Sequence, residues 1–163
     1  MSRDWLLSPA LIKWIADTGR FFYHKDTSCD KEQIEQKLIS IKDTSLGLYN
    51  AHTPSGLYSL RKGARGLSPI GANLYPELFD LLLKNYKDES KKEMVDTINT
   101  FLCEADPVIH NFYPLSAKWF LQKRGLKIQT TTRIPLKTMT PQDIAPLEKL
   151  LINFQKIMEE IGV

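Results

Sequence analysis

Two cysteines and three histidines are all that this 163-residue chain offers to a metal site or a disulfide framework. Cys29 and Cys103 stand alone and far apart, so neither metal-ligand spacing nor a disulfide pattern can be read from them. Charge of one sign is equally scarce. The 22 basic and 19 acidic residues leave a net +3, evenly spread and without a Lys/Arg-rich block, which excludes nucleic acid as the expected partner. No apolar run approaches the roughly 18 residues that a membrane span requires. The opening Met1-Ser2-Arg3-Asp4-Trp5 has none of the apolar core of a secretory leader. What is present is the balance of a globular protein, 42% hydrophobic and 25% charged, on a chain long enough for one sizeable core. The expectation is a cytoplasmic chain that uses no metal or cofactor and binds neither nucleic acid nor membrane.

Local signals alternate along the first half. Ser8-Pro9 predicts a helix start, with serine as cap and proline in the first turn; Leu11, Ile12, Trp14 and Ile15 give its apolar stripe and Gly19 its end. Phe21-Phe22-Tyr23 is short and aromatic without alternation, the pattern of a strand buried on both faces. Asp30, with Gln33 three residues on, predicts the next helix start, and Ile34, Leu38 and Ile41 recur at helical spacing. Leu46 to Tyr49 reads as a second strand and Pro54 to Arg61 as a short helix. Gly63 and Gly66 bracket a turn into a third strand, Leu67 to Ile70, and a helix follows at Tyr75-Pro76-Glu77. Strand and helix in alternation imply a parallel sheet with crossover connections.

Beyond Asp88 the strands stop. Lys91 to Phe101, Pro114 to Lys123, and a helix opened by Thr140-Pro141-Gln142-Asp143 and closed by Gly162 are expected, with a Thr-rich extended connector from Gly125 to Thr138. The organisation is α/β: three βα units over residues 1–87, then an all-helical section over residues 88–163. Three strands cannot close a barrel, and an open sheet of three leaves two unpaired edges. A small flavodoxin-like domain fits poorly, for it needs more strands and a phosphate-binding glycine loop.

Lys25 follows the aromatic run Phe21-Phe22-Tyr23-His24 and so falls at the C-terminal end of a strand, where parallel α/β folds carry their active sites. An amine in a dry, aromatic-walled pocket loses the solvation of its charged form and becomes able to attack a carbonyl. The iminium so formed is an electron sink for a neighbouring carbanion. Thr27 and Ser28 come next and have hydroxyls to offer a substrate carboxylate. On spacing alone, a lysine after a strand is more often a solvated loop residue. His24 reads as a structural histidine, and Cys29, with no general base paired to it, as a small buried hydrophobe.

Three stretches carry a resemblance to the dihydrodipicolinate synthase and N-acetylneuraminate lyase family. The run from Phe22 to Asp30 looks like that family's sixth barrel strand: a hydrophobic run, lysine, small polar residues and an acid. Lys62 to Glu77 looks like the eighth strand and its turn, with Gly63-Ala64-Arg65-Gly66 at one end and Ala72-Asn73-Leu74-Tyr75-Pro76 at the other. Asn111 to Phe120 and Thr140 to Val163 are similar to the closing helices. The resemblance implies a partial (β/α)8 TIM barrel, about the last three βα units, followed by a C-terminal helical section. It implies a class I aldolase, lyase or synthase acting on pyruvate or another 2-oxo acid, without cofactor, as a dimer or tetramer. Carried over, Lys25 is the imine-forming nucleophile. Thr27 matches a polar position of the substrate site, Ala51 stands where a glycine lies close to the bound oxo acid, and Ser68 falls beside the imine.

Departures narrow the reading. The sialic-acid-cleaving branch has an acidic pair after strand seven, where this chain has His52-Thr53-Pro54, which argues against that substrate. The family's carboxylate-binding loop and proton-relay tyrosine belong to its first five strands and would precede Met1; neither Tyr23 nor Tyr49 matches the relay position. The expectation is a truncated chain, complemented by an N-terminal half from elsewhere, with a catalytically inactive association module as the alternative.

Overall fold

The computed structural model describes residues 6–162; Met1 to Trp5 and Val163, and with them the first residues of the expected 1–87 unit and the last of the closing helix, lie outside the described residues. Seven helices and three strands follow in the order α1 (Pro9–Asp17), β1 (Tyr23–Asp26), α2 (Lys31–Ser40), β2 (Gly47–Asn50), α3 (Gly56–Arg61), β3 (Gly66–Leu67), α4 (Pro76–Asn85), α5 (Lys92–His110), α6 (Leu115–Lys123) and α7 (Pro141–Glu160). The three strands form one parallel sheet in sequence order. Tyr23 to Asp26 pair residue by residue with Gly47 to Asn50, and Tyr49 pairs with Gly66. Among the described residues no helix is long and apolar enough to cross a membrane.

The helix starts form for the reasons their sequences state. Ser8 accepts a hydrogen bond from the Leu11 amide at 3.2 Å, and Asp30 from the amides of Glu32 and Gln33, so side-chain oxygens replace the missing backbone partners. Thr140 and Asp143 satisfy each other's backbone N–H groups in a capping box. α1 ends at Gly19, whose φ of +65° a side chain would resist.

Several expectations needed correction. The aromatic run before Lys25 is not buried: Phe21, Phe22 and Tyr23 are 50%, 55% and 71% exposed, because β1 is an edge strand with β2 on one side and no strand on the other. For the same reason Ile12 and Ala16 of α1 are buried and Ile15 partly so, while Leu11 and Trp14 remain in solvent. The third strand is two residues long, and Ile70 belongs to a 3-10 turn, Ile70–Asn73. α5 runs nine residues past Phe101, since Leu102, Ala105 and Ile109 continue its apolar face at helical spacing.

Two apolar clusters result. A small one joins α1 and α2 to the sheet through Ile12, Ala16, Ile34, Leu38, Ile41, Leu46, Leu48 and Ala64. The large one is built by α3 to α7 and is continuous across residue 87. Tyr75, fully buried, sits at its centre with ring centroids 6.1 Å from Phe79, 5.5 Å from Phe101, 5.9 Å from Phe120 and 6.1 Å from Phe154. Arg124 closes this core by reaching the Leu74 carbonyl and Glu77 while lying over the Phe154 ring.

Candidate functional site

Strand alternation sorts β1 into two faces. His24 and Asp26 point toward the helices, while Tyr23 and Lys25 point to the open face of the sheet, which no helix covers. Lys25 pairs with Tyr49, which in turn pairs with Gly66. The Tyr49 ring lies directly over Gly66, so closely that a β-carbon added there would come within 2.7 Å of it. Tyr23 packs on Tyr49 with ring centroids 5.4 Å apart. Together Tyr23, Lys25, Tyr49, Leu67 and Ser68 line a shallow cavity of about 320 Å³.

Of the four residues predicted for a site, Lys25 and Ser68 therefore share one cavity wall. Thr27 and Ala51 are not among its lining residues and follow the ends of β1 and β2. The Ala51 N–H donates to the Asp26 carbonyl at 2.9 Å and the Ser68 N–H to the Asn50 carbonyl at 2.8 Å, so each strand end is fixed to its neighbour by the residue just beyond it. The dry, aromatic-walled pocket expected around Lys25 is half built: tyrosines stand on one side, and the lysine itself is exposed.

Behind this face the polar groups are buried. Asp26 is an ion-pair partner of Lys37, and both are 1% exposed. Its other oxygen accepts from the Ser28 amide at 3.0 Å and the Ser28 hydroxyl at 2.5 Å. Burial alone would raise the Asp26 carboxyl. The company of His24, Lys37 and Ser28 overrides that and holds it well below the usual carboxylate range. At the end of β2, Asn50 donates to Ser55 and Ser59 at 2.9 and 3.1 Å and accepts from the His52 amide at 2.9 Å, fixing the turn that carries His52 and Thr53. Thr53 donates to Asp106 of α5 at 2.6 Å.

Cys29 is exposed rather than buried, with a left-handed backbone at φ +57°. Its thiol is pushed up, first by partial desolvation and then by the Asp26 and Asp106 carboxylates, which disfavours a thiolate. Sequence reasoning missed Tyr49 and Lys37. Tyr49 could be found only from the register that pairs it with Lys25. Lys37 had a signal: it lies between Ile34 and Leu38 on the inward face of α2, where a lysine needs a buried partner.

Comparison with known proteins places this arrangement. The profile of the Dihydrodipicolinate synthetase family matches residues 5–153. A curated relative, 4-hydroxy-tetrahydrodipicolinate synthase of Aliarcobacter butzleri, is 29% identical over 105 residues, which are 60% of this chain and 33% of that one. Among solved structures, the 4-hydroxy-tetrahydrodipicolinate synthase of Methylacidiphilum fumariolicum superposes with a TM-score of 0.82 at 17% identity, over 95% of this chain and 51% of that one. A chloride-inhibited dihydrodipicolinate synthase of Acinetobacter baumannii, complexed with pyruvate, gives 0.78 at 22% identity over 90% and 50%. The likeness in fold covers nearly all of this chain and about half the length of those structures.

Proposed function

This chain belongs to the dihydrodipicolinate synthetase family, and from that premise we propose that it carries the Schiff-base lysine of a cytoplasmic lyase or synthase acting on pyruvate or a related 2-oxo acid. The observation that supports this is the position of Lys25: at the C-terminal end of β1, on the open face of the sheet, in a cavity shared with Tyr49 and Ser68.

The chemistry follows from those groups. The lone pair of Lys25 Nζ attacks C2 of the oxo acid, the carbonyl oxygen leaves as water with the two amine protons, and an iminium remains after one proton is returned to nitrogen. That iminium accepts the electron pair released when a proton leaves C3, giving an enamine ready for carbon–carbon bond formation; cleavage is the reverse. In this reading the Ser68 hydroxyl, on the cavity wall with Lys25, and the Thr27 hydroxyl, two residues beyond it, serve the substrate carboxylate, and Ala51 presents only a methyl group at the end of β2. Tyr23 and Tyr49 wall the same cavity with their rings. Neither a metal ion nor an organic cofactor has a role in these steps.

Incubation with pyruvate, reduction with borohydride and peptide mass spectrometry test the reading. The reduced adduct is expected on the Lys25 peptide and is lost in Lys25→Ala. Modification spread evenly over the exposed lysines, or none at Lys25, overturns it.

A second reading, an inactive module that associates through its free sheet edge with copies of itself or with a complementing βα array, is favoured by one observation. Phe21 and Phe22 stand exposed just before β1 and Tyr23 at its start, on a strand that has no partner along its outer edge among the described residues, where edge strands are normally charged or covered. Light scattering that shows assembly, in a protein that gives no Lys25 adduct, selects this reading over the first.

A further inference from the structure

Directly behind Lys25 a second lysine is buried. Lys37 reaches from α2 to Oδ2 of Asp26, the residue that follows Lys25, and the pair is closed off from solvent. Such a pair is a poor device for stability, because desolvating both ions offsets most of their attraction and apolar side chains of similar volume do as well. Its neighbours on the inward face of α2, Ile34 and Leu38, are apolar as expected. The acid has a local use: it binds the Ser28 amide and hydroxyl and so shapes the turn after β1.

Left alone, that carboxylate would be an uncompensated charge on the residue next to Lys25, on the opposite face of β1. An amine must shed a proton before its lone pair can attack, and an uncompensated anion next to it favours the ammonium form. We propose that Lys37 is a positioning residue for the Lys25 amine, cancelling the Asp26 carboxylate so that β1 keeps its turn-forming acid without holding Lys25 in its charged, unreactive state. The inference rests on the Schiff-base reading of Lys25.

The other titratable groups at this end of the sheet do not do the same work. His24 Nε2 lies 3.6 Å from the same Asp26 oxygen, buried and without a hydrogen-bond partner. Tyr23 and Tyr49 are on the cavity side. His52 is turned to Ser55, and Asp106 of α5 is taken up by Thr53 and His110. β3 and the residue after it bring only Leu67 and Ser68 to the cavity, both uncharged.

Trace labelling with acetic anhydride over the neutral to alkaline range, read by peptide mass spectrometry, follows the reactivity of Lys25 without any substrate. Lys37→Met is expected to raise the pH midpoint of Lys25 labelling by about half a unit to one unit, the size of one unit charge acting across a strand at intermediate dielectric. Asp26→Asn moves the midpoint the opposite way, and the double variant Lys37→Met/Asp26→Asn returns it to the wild-type position. A purely structural pair predicts instead that all three variants lose stability with the midpoint unmoved, and that result overturns the proposal. Should Lys37→Met fail to fold, the contrast between Asp26→Asn and the double variant decides. Pyruvate trapping on the wild type separates the two levels: shifted midpoints without an adduct reject the imine while retaining the charge cancellation. An adduct with unmoved midpoints rejects the role of Lys37 alone.

Discussion

In the helical region the rings of Tyr75, Phe79, Phe101, Phe120 and Phe154 meet one another in a core without solvent, whereas along α1 and β1 the rings of Trp14, Phe21, Phe22 and Tyr23 face water. The residue types are the same, so hydrophobicity does not separate the two regions. The difference is the number of facing layers. Tyr75 is approached by α4, α5, α6 and α7 at once; β1 has helices on one face, a strand along one edge and, among the described residues, no element against the other face or edge. Apolar residues are buried only where the topology supplies something to bury them against.

The sharpest way to break this comparison is to truncate one ring on each side. Phe120→Ala is expected to lower stability by about 3–5 kcal/mol, since it removes a fully buried ring and leaves a cavity. Phe22→Ala is expected to stay within about 0.5 kcal/mol. Urea denaturation measures both, and equal losses would mean that the exposed edge is covered in solution.

Next in size is the buried ion pair of the sheet region, which is closed off from solvent as tightly as the helical core. Asp26→Asn leaves Lys37 buried without its counter-ion and is expected to cost about 3 kcal/mol at neutral pH. The Asp26 carboxyl is held below its usual value of 3.8, so its contribution is complete above that pH and is lost as pH falls below it. The gap in melting temperature between wild type and Asp26→Asn should therefore be constant from pH 5 upward and shrink in more acid solution. A gap that persists unchanged at the acid end would show that the charge of Asp26 is not what stabilises β1.

The smallest effect concerns the turn beyond β1. Cys29 holds φ at +57°, a conformation that a side chain resists by about 1 kcal/mol and glycine does not. Cys29→Gly is expected to raise the melting temperature by the equivalent of up to about 1 kcal/mol. The same change at Cys103, within α5, lowers it.

Much of this was legible in the chain. The caps at Ser8, Asp30 and Thr140 form as their residue types specify, because capping is decided within four residues. The alternation of strand and helix, and the place of Lys25 at a strand end, were equally local signals. What the sequence misreported depends on neighbours that are not adjacent in it. Phe21-Phe22-Tyr23 has the composition of an interior strand, and only the strand order reveals that it lies at an edge. The Tyr49 that pairs with Lys25 emerges from register, and the Lys37 that meets Asp26 from the way the crossover folds α2 back over β1, eleven residues further along the chain. Ala51 and Thr27 were placed at the right strand ends, but which side chains share a cavity wall is a matter of angle that spacing does not encode.

The contact between Tyr49 and Gly66 has a consequence for how such a cavity could be retuned. The floor beside Lys25 is set by an atom that is absent: the ring can lie flat on β3 only because position 66 has no β-carbon. Alanine there would tip the ring up toward Lys25 and shrink the space above it. A single methyl group on the neighbouring strand would thus narrow the cavity that Lys25 lines, without any change to Lys25 itself.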